Sequence, residues 1–225
     1  MTEKTLIIIN PNSSQAVTDG IDAAIAPLRQ LGVPIRCVTL VEGPIGIESQ
    51  LEADLTIAPM LALAKHEEAN ALGFVIACFS DPGLFALRDQ TTLPVFGIQE
   101  AAVMTAMTLG HNIGVIAIKQ GSIARHMRAF GAMGVLQRIV ADRALGLSVA
   151  QLAGDGTLEA MIETGRRMRD EDNANVLIMG CAGMAQYRDP LEQSLGIPVV
   201  EPSQAAVSMA IGRITLGQSH RTKGS

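Results

Sequence analysis

The chain has 225 residues, a formal net charge of −5, a hydrophobic content of 48% and an aromatic content of only 3%. This balance is typical of a compact soluble protein, and the acidic charge together with the scarcity of aromatic rings argues against a nucleic-acid partner. No run of 18 apolar residues is present, so no membrane-spanning helix is expected.

Short apolar runs alternate with helical patterns along the whole chain. The polar residues 10–14 follow the first run and supply caps for a helix that continues through residues 22–31. Because the apolar runs contain almost no polar positions, we interpret them as strands of a parallel sheet covered by helices on both faces. The resulting prediction is an α/β fold. Its strands are residues 6–9, 35–40, 74–77, 95–98, 113–118, 176–179 and 199–200, and its other helices are residues 51–72, 101–109, 123–133, 158–172 and 205–216.

The second half of the chain repeats the pattern of the first half. One strand-like run ends in Cys78 and another ends in Cys181, and each is followed by a turn, a helical segment and a further strand. We interpret this repeat as two pseudo-symmetric lobes that face each other across a cleft. The predicted N-terminal lobe comprises residues 1–95 and 205–225, and the second lobe comprises residues 96–204. The tail, residues 218–225, is predicted to be disordered.

Cys78 and Cys181 both lie at the carboxyl ends of predicted strands, where open parallel sheets bind their ligands. A thiol becomes a useful base when its pKa falls from ~8.5 toward neutrality, as it does near helix N-termini. Asp81 and Pro82 form a suitable helix start after Cys78, and Gly183 lets the backbone turn closely around an anion after Cys181. One thiolate can then remove a proton beside a carbonyl group while the opposite thiol delivers a proton to the other face.

Other titratable residues favour structural roles. A free cysteine is more often a small buried hydrophobic residue than a catalyst, and this is our interpretation of Cys37. His111 and His126 have no carboxylate or cysteine at ligand spacing, so we expect them at the surface or in turns, and we predict no metal site. Helix capping is expected for Asp81 and loop hydrogen bonding for Glu48, with ligand contact as the lesser alternative.

The three cysteines also bear on the compartment. They are odd in number and widely spaced, which is not the pattern of a secreted disulfide framework. The first apolar run follows the initial residues directly, without a charged leader and a cleavage site. We therefore expect reduced thiols in a cytoplasmic protein.

Two segments carry a resemblance to a known family. Residues 77–84, around Cys78, and residues 180–184, around Cys181, resemble the two active-site segments of the hydantoin racemase family, which belongs to the wider aspartate/glutamate racemase superfamily. The resemblance covers almost the whole chain, because further matching segments lie at residues 9–14, 43–49, 97–102 and 196–202.

The resemblance implies a fold, an activity and a set of site residues. The fold is a pair of flavodoxin-like lobes, and the activity is cofactor-independent racemisation of 5-substituted hydantoins or of allantoin, with Cys78 and Cys181 as the acid–base pair. The residues that it assigns to the substrate are Asn12, which orients the ring, the backbone around Ser80, Asp81, Gly183 and Met184, which binds carbonyl groups, and Ile47 and Phe79, which line the pocket wall.

One position departs from the family pattern. Where the family often carries two adjacent threonines, this chain has Ala117 and Ile118. The loss of two hydroxyl groups removes hydrogen bonds to a ring carbonyl or amide, which favours a different or more apolar substrate. Lys119 and Ser122 follow closely and are candidates to replace the lost groups.

Two alternative functions stay open. One is a cis–trans isomerase or decarboxylase of the same superfamily, in which a cysteine adds to or protonates the substrate. The other is a non-catalytic sensor that retains the cleft. The flank at residues 81–83 favours racemisation. The expected partner is a small carbonyl compound, and the protein is expected to be a homo-oligomer.

Overall fold

The computed structural model describes residues 4–220, which form two parallel β-sheets flanked by helices. The strands are β1 (Thr5–Asn10), β2 (Ile35–Thr39), β3 (Ala71–Ile76), β4 (Val95–Gly97), β5 (Ile113–Ala117), β6 (Ile139–Ala144), β7 (Val176–Met179) and β8 (Val199–Val200). The α-helices are α1 (Gln15–Ala24), α2 (Gln50–Leu55), α3 (Ile57–Glu67), α4 (Leu84–Gln90), α5 (Ile98–Leu109), α6 (Gln120–Ala132), α7 (Thr157–Asp170), α8 (Arg188–Leu195) and α9 (Pro202–Thr215). Short 3-10 helices lie at Ala26–Leu31, Glu68–Asn70, Leu136–Arg138, Val149–Ala153 and Ala182–Tyr187.

The two sheets have the same internal order. The first runs β2-β1-β3-β4 and the second runs β6-β5-β7-β8, and every strand pair is parallel. In each sheet the strand that precedes a candidate catalytic cysteine, β3 or β7, is an inner strand. The predicted α/β class with two parallel sheets is therefore confirmed. The exact lobe boundaries, the cytoplasmic location and the oligomeric assembly stay predictions.

A continuous apolar core joins the two sheets. It contains residues from both sheets, such as Val75 and Val115, together with the buried faces of α5 and α9. Helix α9 packs against β3, β4 and α5, so the C-terminal helix returns to the first sheet. This shared core holds the carboxyl ends of β3 and β7 in fixed relation. Within residues 4–220, no helix is long and apolar enough to cross a membrane.

The helices differ from the predicted ones at their ends. Ser14 caps α1, since its side chain accepts a hydrogen bond from the Val17 N–H, but the α-helix ends at Ala24 and continues as a 3-10 helix. The long helix predicted over residues 51–72 is divided at Thr56, whose hydroxyl donates to the Ala53 carbonyl at 2.7 Å. Pro59 follows and has no N–H to continue the helical hydrogen bonds.

Strand β6 was not among the predicted strands. Asp142 and Arg143 interrupt the apolar pattern of this edge strand. The Asp142 side chain is buried and pairs with His126, whereas Arg143 forms ion pairs at the half-exposed edge. The tail also differs from its prediction at His220, whose Nε2 accepts a hydrogen bond from the Val95 N–H at 2.7 Å. Residues 221–225 of the predicted disordered tail lie outside the described residues.

The turn after β3 is joined to α5 by the carboxylate of Asp81. The Ser80 and Asp81 N–H groups both donate to the Cys78 carbonyl, at 2.8 and 3.0 Å, which closes the turn. The Asp81 side chain then accepts from the N–H groups of Gln99 at 2.9 Å and Glu100 at 2.8 Å. Asp81 is therefore a helix cap, as expected, but it caps α5 and not the helix that follows it in sequence, because α4 begins only after Gly83.

The absence of a side chain at Gly97 provides the space for the Asp81 carboxylate. A Cβ at position 97 would lie 2.1 Å from the Cγ of Asp81. We expect Gly97→Ala to lower the free energy of unfolding by about 1–3 kcal/mol, because the cap must move or break. Urea unfolding measures the change. The matched control is Gly212→Ala in α9, where a Cβ meets nothing within 4 Å and is expected to leave stability unchanged or to raise it slightly. An equal effect of the two variants would contradict the prediction.

Candidate active site

Cys78 and Cys181 face one cavity between the two sheets. Cys78 follows the end of β3 by two residues, and Cys181 occupies the matching place after β7. The cavity is narrow, and part of it is open to solvent. Its lining residues are Asn12, Val17, Ile47, Ala77, Cys78, Phe79, Ser80, Ile118, Ser122, Arg125, His126, Val149, Gly180, Cys181, Ala182 and Gly183.

The structure brings eight of the ten predicted site residues to this cavity. They are Cys78, Cys181, Asn12, Ile47, Phe79, Ser80, Ser122 and Gly183. Asp81 and Met184 are the two exceptions. The Asp81 carboxylate is turned toward α5, and the Met184 side chain is fully buried in the core of the second sheet. The role of the eight residues in catalysis or substrate binding stays a prediction.

The expected carbonyl-binding amides are only partly available. The Asp81 N–H donates to the Cys78 carbonyl, and the Met184 N–H donates to the Cys181 carbonyl at 3.2 Å. These amides close their own turns in this structure, and their contact with a ring carbonyl stays a prediction. The Gly183 N–H is different, since it is directed at the sulfur of Cys181 and favours the thiolate.

Burial governs the ionisation of Cys78. Loss of hydration raises the pKa of its thiol to about 11. The Ser80 hydroxyl, 3.3 Å from the sulfur, and the positive charge of Arg125 lower this pKa, and the negative charge of Asp81 raises it. The expectation that the turn would bring the thiol pKa toward neutrality is therefore wrong for the unliganded cavity, because desolvation outweighs the nearby donors.

Cys181 is half-buried and lies in a more negative environment. Burial raises the pKa of its thiol to about 12, and negative charge on Cys78, Glu48 or Glu201 raises this pKa further, while the Gly183 N–H lowers it. Two consequences follow. The thiolate forms more readily at Cys78, which has a cation beside it, and ionisation of Cys78 opposes ionisation of Cys181.

Asn12 presents a free amide N–H₂ group. Its Oδ1 accepts from Asn10 Nδ2 and from the Ser14 N–H, both at 2.9 Å. These bonds fix the orientation of the side chain, and its Nδ2 has no hydrogen-bond partner among residues 4–220. Asn12 is therefore built as a hydrogen-bond donor to the cavity that it lines.

Residues 117–122, where the chain departs from the family pattern, lie only partly at the cavity. Ile118 lines the cavity, whereas Ala117 is fully buried behind it. Ser122 is buried at the cavity wall. Lys119 instead forms an ion pair with Glu48, whose other carboxylate oxygen accepts from the Val149 N–H at 2.9 Å. Of the two proposed replacements for the missing threonines, only Ser122 lies at the cavity, and Glu48 has the loop-bonding role expected of it.

Sequence reasoning missed two polar side chains of the described cavity wall, Arg125 and His126. The expectation of a surface or turn position for His126 is wrong, because its side chain is 1% exposed and its Nδ1 lies 2.9 Å from Asp142 Oδ2. The partner is 16 residues away on an unpredicted strand, so no local motif marks the pair. The available signal was the spacing of Ser122, Arg125 and His126, which places them on one face of α6.

The His126–Asp142 pair is not part of a larger metal-binding cluster. Within the described part of the chain, no group of three or more His, Cys, Asp or Glu side chains is arranged to hold a metal ion.

Comparisons with known proteins identify the family. The model of the Asp/Glu/Hydantoin racemase family matches residues 6–210. A hydantoin racemase of Pseudomonas sp. (strain NS671) is 34% identical over 214 residues, which are 94% of this chain and 86% of that protein. The structure of allantoin racemase from Klebsiella pneumoniae has a TM-score of 0.90 at 28% identity and covers 99% of this chain and 92% of its own. Allantoin racemase from Pseudomonas fluorescens has a TM-score of 0.89 at 27% identity, with coverage of 96% and 93%.

The matches extend over both sheets and both cysteine segments, so the relationship does not rest on one motif. The chain belongs to the Asp/Glu/Hydantoin racemase family.

Proposed function

We propose that this protein is a cofactor-independent racemase of a 5-substituted hydantoin or an allantoin-like ring, in which Cys78 and Cys181 exchange protons with opposite faces of one carbon. The coarser assignment, an isomerase of the racemase type, rests on the family and on its curated relatives. The observation that carries the two-cysteine mechanism is the presence of both thiols in one cavity, at matching ends of β3 and β7.

The reaction begins with one thiolate and one thiol. The thiolate removes the proton from the ring carbon next to a carbonyl group, and the electron pair of the broken C–H bond moves into the carbonyl to form an enolate. The opposite thiol then gives its proton to the other face of the same carbon. The product has the inverted configuration, and the two cysteines have exchanged protonation states.

A single negative charge passes through the cavity in this sequence. It starts on one sulfur, moves to the enolate oxygen and ends on the other sulfur. Donors fixed before the reaction stabilise such a charge without reorganisation, and the Asn12 amide and the Arg125 guanidinium are such donors at this cavity. Negative charge on one sulfur opposes ionisation of the other, so once one thiol has lost its proton the second stays protonated and can act as the acid.

Raised thiol pKa values have two opposite effects on the rate. A thiolate of higher pKa is a stronger base toward a weakly acidic C–H bond, but less of it is present near neutral pH. A substrate that fills the cavity also brings its own dipoles close to the sulfur atoms, so the free enzyme and the complex differ in their ionisation.

Replacement of either cysteine is expected to abolish racemisation. Cys78→Ser and Cys181→Ser should each lower the rate at least about a hundredfold, because a hydroxyl group is a much weaker acid and base at these positions. Chiral chromatography of a single hydantoin or allantoin enantiomer, with the uncatalysed rate subtracted, measures this. Cys37→Ser is the matched control, since Cys37 lies on β2 away from the cavity. A wild-type rate in either cavity variant would contradict the mechanism, and the absence of turnover by the wild type for all rings would contradict the proposed function.

The activity of the free enzyme is expected to rise with pH. The reactive form is the deprotonated thiol, and its pKa of about 11 for Cys78 lies above the assay range. The value of kcat/KM should therefore increase by about tenfold per pH unit from about pH 7 to about pH 9, without a plateau. Ser80→Ala removes a group that lowers the pKa of Cys78, so it should reduce kcat/KM at each pH. A plateau that begins near neutral pH in the wild type, after correction for ionisation of the substrate, would contradict this account.

A further inference from the structure

His126 and Asp142 form a buried polar pair at the wall of the cavity. The His126 side chain is 1% exposed and the Asp142 side chain is 3% exposed, and the two are joined at 2.9 Å through Nδ1 and Oδ2. The ring also packs edge-on against Phe79, with 5.0 Å between ring centroids. Because two neighbours hold the ring, its orientation relative to the cavity is fixed.

The carboxylate determines which ring nitrogen carries the proton. A carboxylate oxygen accepts, so Nδ1 donates to Asp142, and Nε2 of the neutral imidazole is then an acceptor. Among residues 4–220, Nε2 has no hydrogen-bond partner. His126 lines the cavity together with both thiols, and in the neutral tautomer with the proton on Nδ1 its Nε2 is an unpaired acceptor.

The rest of the cavity is poor in acceptors. No Asp or Glu side chain is among the described residues that line it. Arg125 has only donors, and the Oδ1 of Asn12 is already occupied by two N–H groups. Ile118 is apolar. The hydroxyls of Ser80 and Ser122 also line the cavity, but each already has a partner, in Cys78 Sγ and Arg125 respectively. A ligand with carbonyl oxygens therefore finds several donors here, whereas His126 Nε2 is the side-chain acceptor without a partner in the described part of the wall.

We propose that His126, oriented by Asp142, is a substrate-binding residue whose Nε2 accepts a hydrogen bond from a ring N–H group of the substrate. This inference rests on the proposed function and makes it more specific, because the site then selects ureide rings that keep an N–H group beside a carbonyl. Asp142 is a positioning residue, since it acts by fixing the tautomer of His126.

The test combines variants of the protein with rings that lack one N–H group. The substrates are one 5-substituted hydantoin and its two counterparts methylated at N1 or at N3. His126→Asn keeps an amide donor near Asp142 but removes the Nε2 acceptor. Asp142→Asn replaces the carboxylate with a group that also donates, which releases the tautomer and lets Nε2 become a donor. Where a methylated ring is not turned over, its inhibition constant against the parent ring is measured instead.

For the parent ring we expect His126→Asn to lower kcat/KM by about 10- to 100-fold, mainly through a higher KM, because the ring N–H is left buried without a partner. One methylated ring should be unaffected by this variant, because it has no N–H group at that position to lose. The other methylated ring should lose as much as the parent. Asp142→Asn should reproduce the same dependence on the ring. His111→Asn, at an exposed histidine outside the cavity, is the matched control and should change nothing.

The outcomes separate this inference from the proposed function. If the wild type racemises the parent ring but His126→Asn lowers the rate of all three rings equally, or of none, the hydrogen bond is contradicted while the racemase assignment stands. If the wild type acts on none of the rings, the proposed function fails and this inference fails with it. Thermal unfolding of each variant shows whether the fold is retained. Normal activity of the variant on the ring that lacks the relevant N–H group shows that only the hydrogen bond is lost.

Discussion

Two half-buried thiols at one cavity resist ionisation together, because each negative charge is partly removed from water and is opposed by charge on the other sulfur. Burial raises the pKa of both cysteines, and negative charge on Cys78 raises the pKa of Cys181 further. The proposed reaction depends on this constraint. When the pair has lost one proton it contains one base and one acid, and exchanging their protonation states reverses the direction of inversion.

The fold meets this constraint by bringing the carboxyl ends of two equivalent strands, one from each sheet, to the same cavity. The two sheets have the same strand order, which brings β3 and β7 to the cavity. A shared apolar core that includes α5 and α9 fixes the position of one sheet relative to the other. Contacts around the cavity join the two halves. Asp81 ties the Cys78 turn to α5, and Glu48 links its loop to Lys119 and to the Val149 N–H. These contacts hold the groups whose spacing the chemistry requires.

Local patterns were sufficient to predict most of the fold. The inner strands are apolar at every position, so β3, β5 and β7 were evident, whereas β6 was not, because an edge strand tolerates Asp142 and Arg143. The helix over residues 51–72 was predicted too long, since the effect of Thr56 and Pro59 on its continuity depends on geometry rather than on apolar periodicity.

The site was predictable where a local turn or the resemblance to a known family marks its residues. Cys78 and Cys181 stand in recognisable turns, and most of their predicted companions lie at the same cavity. His126 was misjudged because its partner is on another element, and Asp81 because its carboxylate reaches α5 and not its own helix. The thiol pKa values were misjudged for a related reason. Desolvation depends on everything that surrounds a group, which a motif does not describe.

The most direct measurement of the two-cysteine account is the position of deuterium at early conversion. One enantiomer of a 5-substituted hydantoin is incubated with the wild type in D₂O, and the two enantiomers are separated and analysed by mass spectrometry before the reaction approaches equilibrium. If two bases act on opposite faces, the newly formed enantiomer carries one solvent deuteron at C5 and the remaining starting enantiomer carries none. Equal labelling of both enantiomers, or a product that keeps the original proton, would show that a single group serves both faces and would contradict the account.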